Sequence, residues 1–70
     1  SIDAFEVVIV PQNEKQSGAV KELIPNIDSV KKQGGEIFIV GTFYSEEYAN
    51  AVCGKYISLG LFTNSIKVKV

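Results

Sequence analysis

The 70 residues predict an α+β fold of the ferredoxin-like kind, βαββαβ: a four-stranded antiparallel sheet with two helices on one face. Three observations predict it. Strand-like runs stand at both ends of the chain, Phe5, Val7 and Ile9 alternating with Glu6, Val8 and Val10, and Ile66, Val68 and Val70 with Lys67 and Lys69. A stripe of helical period runs from Ala49 to Ile57, and a glycine pair, Gly34-Gly35, separates two short strand-like runs.

In the first strand Phe5, Val7 and Ile9 alternate with Glu6, Val8 and Val10, and Pro11 ends it. Gln12 to Gly18 is polar and reads as a loop leading into a helix. That helix carries Ala19, Val20, Leu23 and Ile24 at helical spacing, and Pro25 stops its hydrogen bonding. Asn26 to Gln33, with Ile27 and Val30, suits a brief second strand. Gly34-Gly35 then predicts a hairpin, since both residues tolerate positive φ. A two-residue loop would pair Val30 with Ile39, and a three-residue loop would pair it with Phe38. The second register is expected, because it keeps Lys31 off the core side. Glu36 to Val40 is the third strand, rich in β-branched and aromatic residues.

Ser45 stands where an N-cap belongs, with Glu46 and Glu47 in the first turn, where the helix dipole favours negative charge. The core stripe of this second helix is Ala49, Val52, Cys53, Tyr56 and Ile57, and Gly60 closes it. Ile66, Val68 and Val70 alternate with Lys67 and Lys69 in a half-buried last strand. The first half of the chain thus reads as a looser version of the β-α-β unit that fills Glu36–Val70.

Composition bounds the function. The 46% apolar content suits one small domain with a real core. A net charge of −1 and the absence of Arg argue against nucleic acid. One Cys and no His leave no disulfide, no cofactor or metal-ligating set and no nucleophile–base pair. Glu46 and Glu47 do not make a glycosidase, since adjacent helical residues point about 100° apart rather than into one cleft. The chain is expected to be non-catalytic. No signal peptide or membrane span is visible, and the lack of Met leads us to expect a domain cut from a longer protein.

Because both helices cover one sheet face, the other is open. If Val7, Ile9, Phe38 and Val40 point to the helices, then Glu6, Val8, Ile37 and Ile39 lie on the open face. Three of those four are apolar, which points to an interface.

The run Phe38-Ile39-Val40-Gly41-Thr42-Phe43, then Ser45, Ala49, Val52, Cys53, Tyr56, Gly60 and Leu61, resembles the SPOR domain (sporulation-related repeat). That family typically shows a V-x-V-G-x-F strand end, a Ser opening the helix, and an Ala. Apolar residues follow three, four and seven positions on, with Gly and an apolar residue at eleven and twelve. Every offset fits here, over about half the chain. In the first strand, where the family commonly has a Gln and then Gly-Ser-Phe, this chain has Val8, Val10 and Pro11.

The resemblance implies a single domain over residues 1–70 with the βαββαβ fold, located in the periplasm or cell envelope. It also implies binding of peptidoglycan glycan strands stripped of stem peptides, usually at division sites. Its glycan would lie across the open face, which makes Val8, Pro11, Ile39 and Thr42 candidates, with Ile37 added by geometry. Val8, Ile37 and Ile39 would form an apolar platform for sugar rings. Thr42, Gln12, Lys67 and Lys69 would supply hydrogen bonds. Lys67 and Lys69 also suit a plainer role, guarding an edge strand against pairing. Phe43 and Cys53 are expected in the core, and Tyr44 and Tyr48 in solvent near the helix start. The alternatives are a protein-interaction or oligomerisation domain using the same face, and a dimeric, ligand-responsive regulatory domain. An RNA-recognition module ranks last, because Ile37 and Ile39 stand where its stacking aromatics belong.

Overall fold

The computed structural model describes all residues, 1–70. Its elements are β1 (Asp3–Ile9), α1 (Glu14–Leu23), β2 (Asp28–Lys32), β3 (Gly35–Phe43), α2 (Glu46–Ile57) and β4 (Thr63–Lys69). The sheet order is β2-β3-β1-β4, with every neighbouring pair antiparallel. This is the expected ferredoxin-like α+β arrangement.

Ile9, Phe38, Val20, Tyr56 and Leu61 form one buried cluster, and Val7, Ala49 and Cys53 form a second. Val40 and Val52 are half-buried and pack against both. The helix-facing set Val7, Ile9, Phe38 and Val40 is therefore as the alternation predicts. Phe38 is the largest fully buried side chain. Burying such a ring is worth roughly 1.5–3 kcal/mol.

Helix α2 forms where its signals lie. The Ser45 hydroxyl accepts from the Tyr48 amide at 3.1 Å. At the other end Gly60 takes φ +86°. The Leu61 amide donates to the Tyr56 carbonyl at 3.1 Å, and the Gly60 amide to that of Ile57 at 2.9 Å. These are the two hydrogen bonds of a Schellman motif, and they turn Leu61 under Tyr56 into the core. Ala49, Cys53 and Tyr56 are buried as expected, but Ile57 is exposed, at the margin of the stripe.

Helix α1 departs more. It starts at Glu14, inside the stretch read as loop, because Asn13 caps it by accepting from the Gln16 amide at 2.9 Å. The Gln16 side chain reaches back to accept from the Gln12 amide, also at 2.9 Å. This is the reciprocal logic of a capping box, displaced by one residue. The first turns of α1 are polar, so no apolar stripe marks them. Val20 is its one fully buried residue, and Leu23 is exposed.

The β2–β3 hairpin corrects the expected register. Lys32 pairs with Gly35, so the loop is Gln33-Gly34, and Val30 faces Ile37 rather than Phe38 or Ile39. Gly34 supplies the left-handed residue, at φ +100°. Negative φ at Gln33 and positive φ at Gly34 is the sign pattern of a type II turn. A slip of one residue turns every side chain to the opposite face. Val30 therefore joins Ile37 on the uncovered side, and Ser29 lies opposite Phe38. The Ser29 hydroxyl donates to Glu36 at 2.8 Å, and Lys21 of α1 reaches the same carboxylate at 3.8 Å.

A bulge in β3 completes the frame. Val7 faces Gly41 while Val8 faces Ile39, so Val40 has no counterpart on β1. The extra residue restarts the alternation and puts Thr42 on the same face as Ile39. It also sets Gly41 against the Phe43 ring, where a Cβ would come within 3.1 Å of Cζ.

Candidate functional site

The uncovered face can be read row by row from the strand pairings. One row is Asn64, Val8, Ile39 and Asp28, and the next is Ile66, Glu6 and Thr42, followed by Val68 and Ala4. On the other side, Ile37 pairs with Val30, and the ladder continues past β1 as the Val10 amide donates to the Phe62 carbonyl at 2.8 Å. Leu61 and Thr63 are both buried on the helix side, so Phe62 between them turns outward, 54% exposed. The result is an apolar band, Phe62, Val10, Ile37 and Val30, crossing all four strands at one end of the sheet. Neighbouring strands lie about 4.8 Å apart, so the band is about 15 Å long.

The structure brings Ile37, Ile39 and Thr42 together on this face, as expected. Val8 also lies on it but is only 5% exposed. It sits in a central strand between Ile39 and Asn64, and offers a ligand almost no surface. Gln12 lies just beyond β1, with its amide nitrogen donating to the Val10 carbonyl at 3.0 Å. Its side-chain oxygen makes no protein hydrogen bond.

Lys67 and Lys69 are on the wrong side. They pair with Phe5 and Asp3, so they share the helix-side direction, and β4 shows the open face its apolar residues Ile66 and Val68 instead. Both lysines bind Asp3, Lys69 through a hydrogen bond and Lys67 at 3.4 Å. The hydrogen bond from Lys69, reinforced by the charge of Lys67, holds the Asp3 carboxyl below its usual range. The ion pairs therefore favour the fold above the ordinary Asp range, and that contribution disappears as pH falls through the lowered value. An NMR pH titration is expected to show the Asp3 carboxyl with a depressed midpoint, and Lys69→Gln should move it back up.

A cleft of about 650 Å³ opens beside the band, between the β1–α1 connection and the β2–β3 hairpin. Val10, Gln12 and Ile37 line it together with Lys31, Lys32 and Gln33. The spacing of Val30 and Lys32 along β2 puts Lys32 on the uncovered face. It is the lysine that sequence reasoning missed, because the hairpin register decides its direction. Phe62 was missed as well, since nothing around Gly60-Leu61 marks it as an extension of the strand.

Off this face, the remaining residues take plain roles. Phe43 packs beside the second cluster and meets Tyr48 edge-on, with centroids 5.1 Å apart. Tyr44 and Tyr48 are exposed. Cys53 is buried, and desolvation raises its thiol pKa. A thiol reagent is accordingly expected to modify native Cys53 slowly and unfolded protein fast; equal rates would contradict its burial. No three His, Cys, Asp or Glu side chains gather as a metal would require, and no helix is long and apolar enough to cross a membrane.

Searches of protein-family models, curated proteins and solved structures returned no match to this chain.

Proposed function

We propose that this chain is a non-catalytic, SPOR-type module that binds peptidoglycan glycan strands in the bacterial envelope through its uncovered sheet face. The observation that carries the reading is the composition of that face by rows. An apolar band ending in Phe62 lies beside rows that hold Asn64, Asp28, Glu6 and Thr42. A saccharide needs both parts: an apolar or aromatic surface for its ring faces, and fixed polar partners for its hydroxyls. The resemblance over Phe38–Leu61 supports the choice of glycan and of strands stripped of stem peptides.

The test is sedimentation of the purified domain with sacculi before and after an amidase removes the stem peptides. Binding that rises after amidase treatment is expected. Failure to bind the treated sacculi would end the glycan reading.

One observation favours a second reading, a protein-interaction or self-association domain using the same face. Ile66 and Val68 extend the apolar surface away from the band, and Ile2 and Val70, 62% and 57% exposed, continue it through their mutual backbone hydrogen bonds. Light scattering at high concentration separates the two, because a clean monomer counts against self-association.

A further inference from the structure

Strand β4 stands at one edge of the sheet. Ile2 exchanges both backbone hydrogen bonds with Val70, and the Val10 amide donates to Phe62. Antiparallel bonding alternates, so the even-numbered residues from Phe62 to Val70 turn their amides and carbonyls towards β1. Thr63, Ser65, Lys67 and Lys69 turn theirs outward, where no further strand receives them. Lysines on an edge ordinarily oppose pairing. Here both are held by Asp3 of β1, Lys69 through a hydrogen bond and Lys67 at 3.4 Å, and both lie on the helix side. The other edge, β2, is five residues long and carries Lys31 and Lys32, which have no ion-pair partner. That edge is guarded in the ordinary way, and β4 is not.

We propose that β4 pairs antiparallel with the β4 of a second copy, about a twofold axis at Ile66, joining two four-stranded sheets into one. Charge and geometry select that register. Only odd-numbered residues carry outward groups, so they must meet odd-numbered residues of the second copy. An axis at Lys67 or Lys69 sets a lysine against itself, and one at Val68 sets Lys67 against Lys69. Like charges directly opposite each other are destabilising. An axis at Asn64 or Ser65 needs the Leu61 amide opposite a lysine, but that amide already donates to Tyr56. With the axis at Ile66, Lys67 meets Ser65 and Lys69 meets Thr63. These pairs and their symmetry mates supply about eight backbone bonds. The two Lys67 groups become diagonal neighbours, each beside its own Asp3. On the uncovered side Ile66 meets Ile66 and Phe62 meets Val70, all three about half exposed in the single chain. The apolar band then continues from Phe62 to Val70 and Ile2 of the second copy. Pairing by the edge leaves the uncovered face free, so it holds whether or not that face binds glycan.

The experiment combines sedimentation equilibrium with amide exchange followed by NMR. An edge contact is small, so the range runs from about 10 µM to about 1 mM. The mass is expected to rise towards twice that of the monomer. The Ser65 and Lys67 amides should exchange about threefold or more slowly at the upper concentration. Ile66→Lys sets two ammonium groups face to face in the dimer but places one beside Glu6 in the monomer, so it should fold and stay monomeric. Cysteine pairs read the register, because Cys53 is buried and does not compete. Ile66→Cys should cross-link to itself on mild oxidation, whereas Val68→Cys should cross-link with Asn64→Cys and not with itself. Wild type that stays monomeric at the upper concentration would overturn the proposal and leave the edge to an extended segment of another protein. A dimer whose edge amides exchange freely would overturn it in favour of contact through the uncovered face. Val68→Cys that links to itself as readily as Ile66→Cys would overturn the register.

Discussion

Phe38→Ala is expected to unfold this domain or leave it without fixed tertiary structure. Phe38 is 1% exposed and joins Ile9 on β1, Val20 on α1, and Tyr56 and Leu61 at the end of α2 in one cluster. Truncating a buried Phe to Ala costs roughly 3–5 kcal/mol, from lost burial and from the cavity left behind. A domain of this size has only about 4–10 kcal/mol in total, at roughly 0.05–0.15 kcal/mol per residue. The damage should be visible as lost near-ultraviolet dichroism and a melting transition lowered by tens of degrees or absent. As a control, Tyr44→Ala removes a ring that is 69% exposed and should shift stability by less than about 0.5 kcal/mol. A Phe38→Ala domain that melts within a few degrees of the wild type would contradict the placement of the core.

Ile39→Asp is expected to do the reverse, removing binding while leaving the fold in place. Ile39 lies between Val8 and Asp28 on the uncovered face and belongs to neither buried cluster. The new carboxylate would remain hydrated in the free domain. The cost is that of a poor strand former on a half-buried position, about 1 kcal/mol. In a complex the same charge would be desolvated next to Ile37 and Val8, and beside the existing Asp28 carboxylate. We expect at least about a tenfold loss of sacculus binding, the equivalent of about 1.4 kcal/mol. Circular dichroism and a melt would show whether the fold persists. A collapse in melting temperature would mean that Ile39 faces the helices.

The contrast between these two substitutions rests on alternation along β1 and β3, and that much was legible in the sequence. Val7, Ile9, Phe38 and Val40 could be separated from Ile37 and Ile39 because a period of two needs no partner strand to be read. The caps of α2 were legible for a similar reason: Ser45 and Gly60 act on backbone groups within a few residues of themselves.

What could not be read depends on pairing between strands. In β4 the alternation of Ile66 and Val68 with Lys67 and Lys69 shows which residues share a side, but not which side faces the helices. The expectation that apolar residues turn inward failed: Lys67 and Lys69 take the helix-side direction, where Asp3 pairs with both, and Ile66 and Val68 turn to the uncovered face. The hairpin was ambiguous because two adjacent glycines permit several turns, and one step of register decides whether Val30 and Lys32 belong to the site. The bulge at Val40 lies within an uninterrupted strand-like run. Its consequence, Thr42 beside Glu6 on the uncovered face, appears only once β1 is in place.

The proposed function requires that the uncovered face, and not the helical side, meets the glycan. Titrating isotope-labelled domain with amidase-stripped glycan oligomers while recording amide NMR spectra tests it most directly. The shifted resonances are expected to cluster at Val10, Ile37, Ile39, Thr42 and Phe62, and at Lys32 on the neighbouring hairpin. Shifts confined to α1 and α2, with those residues unmoved, would contradict it.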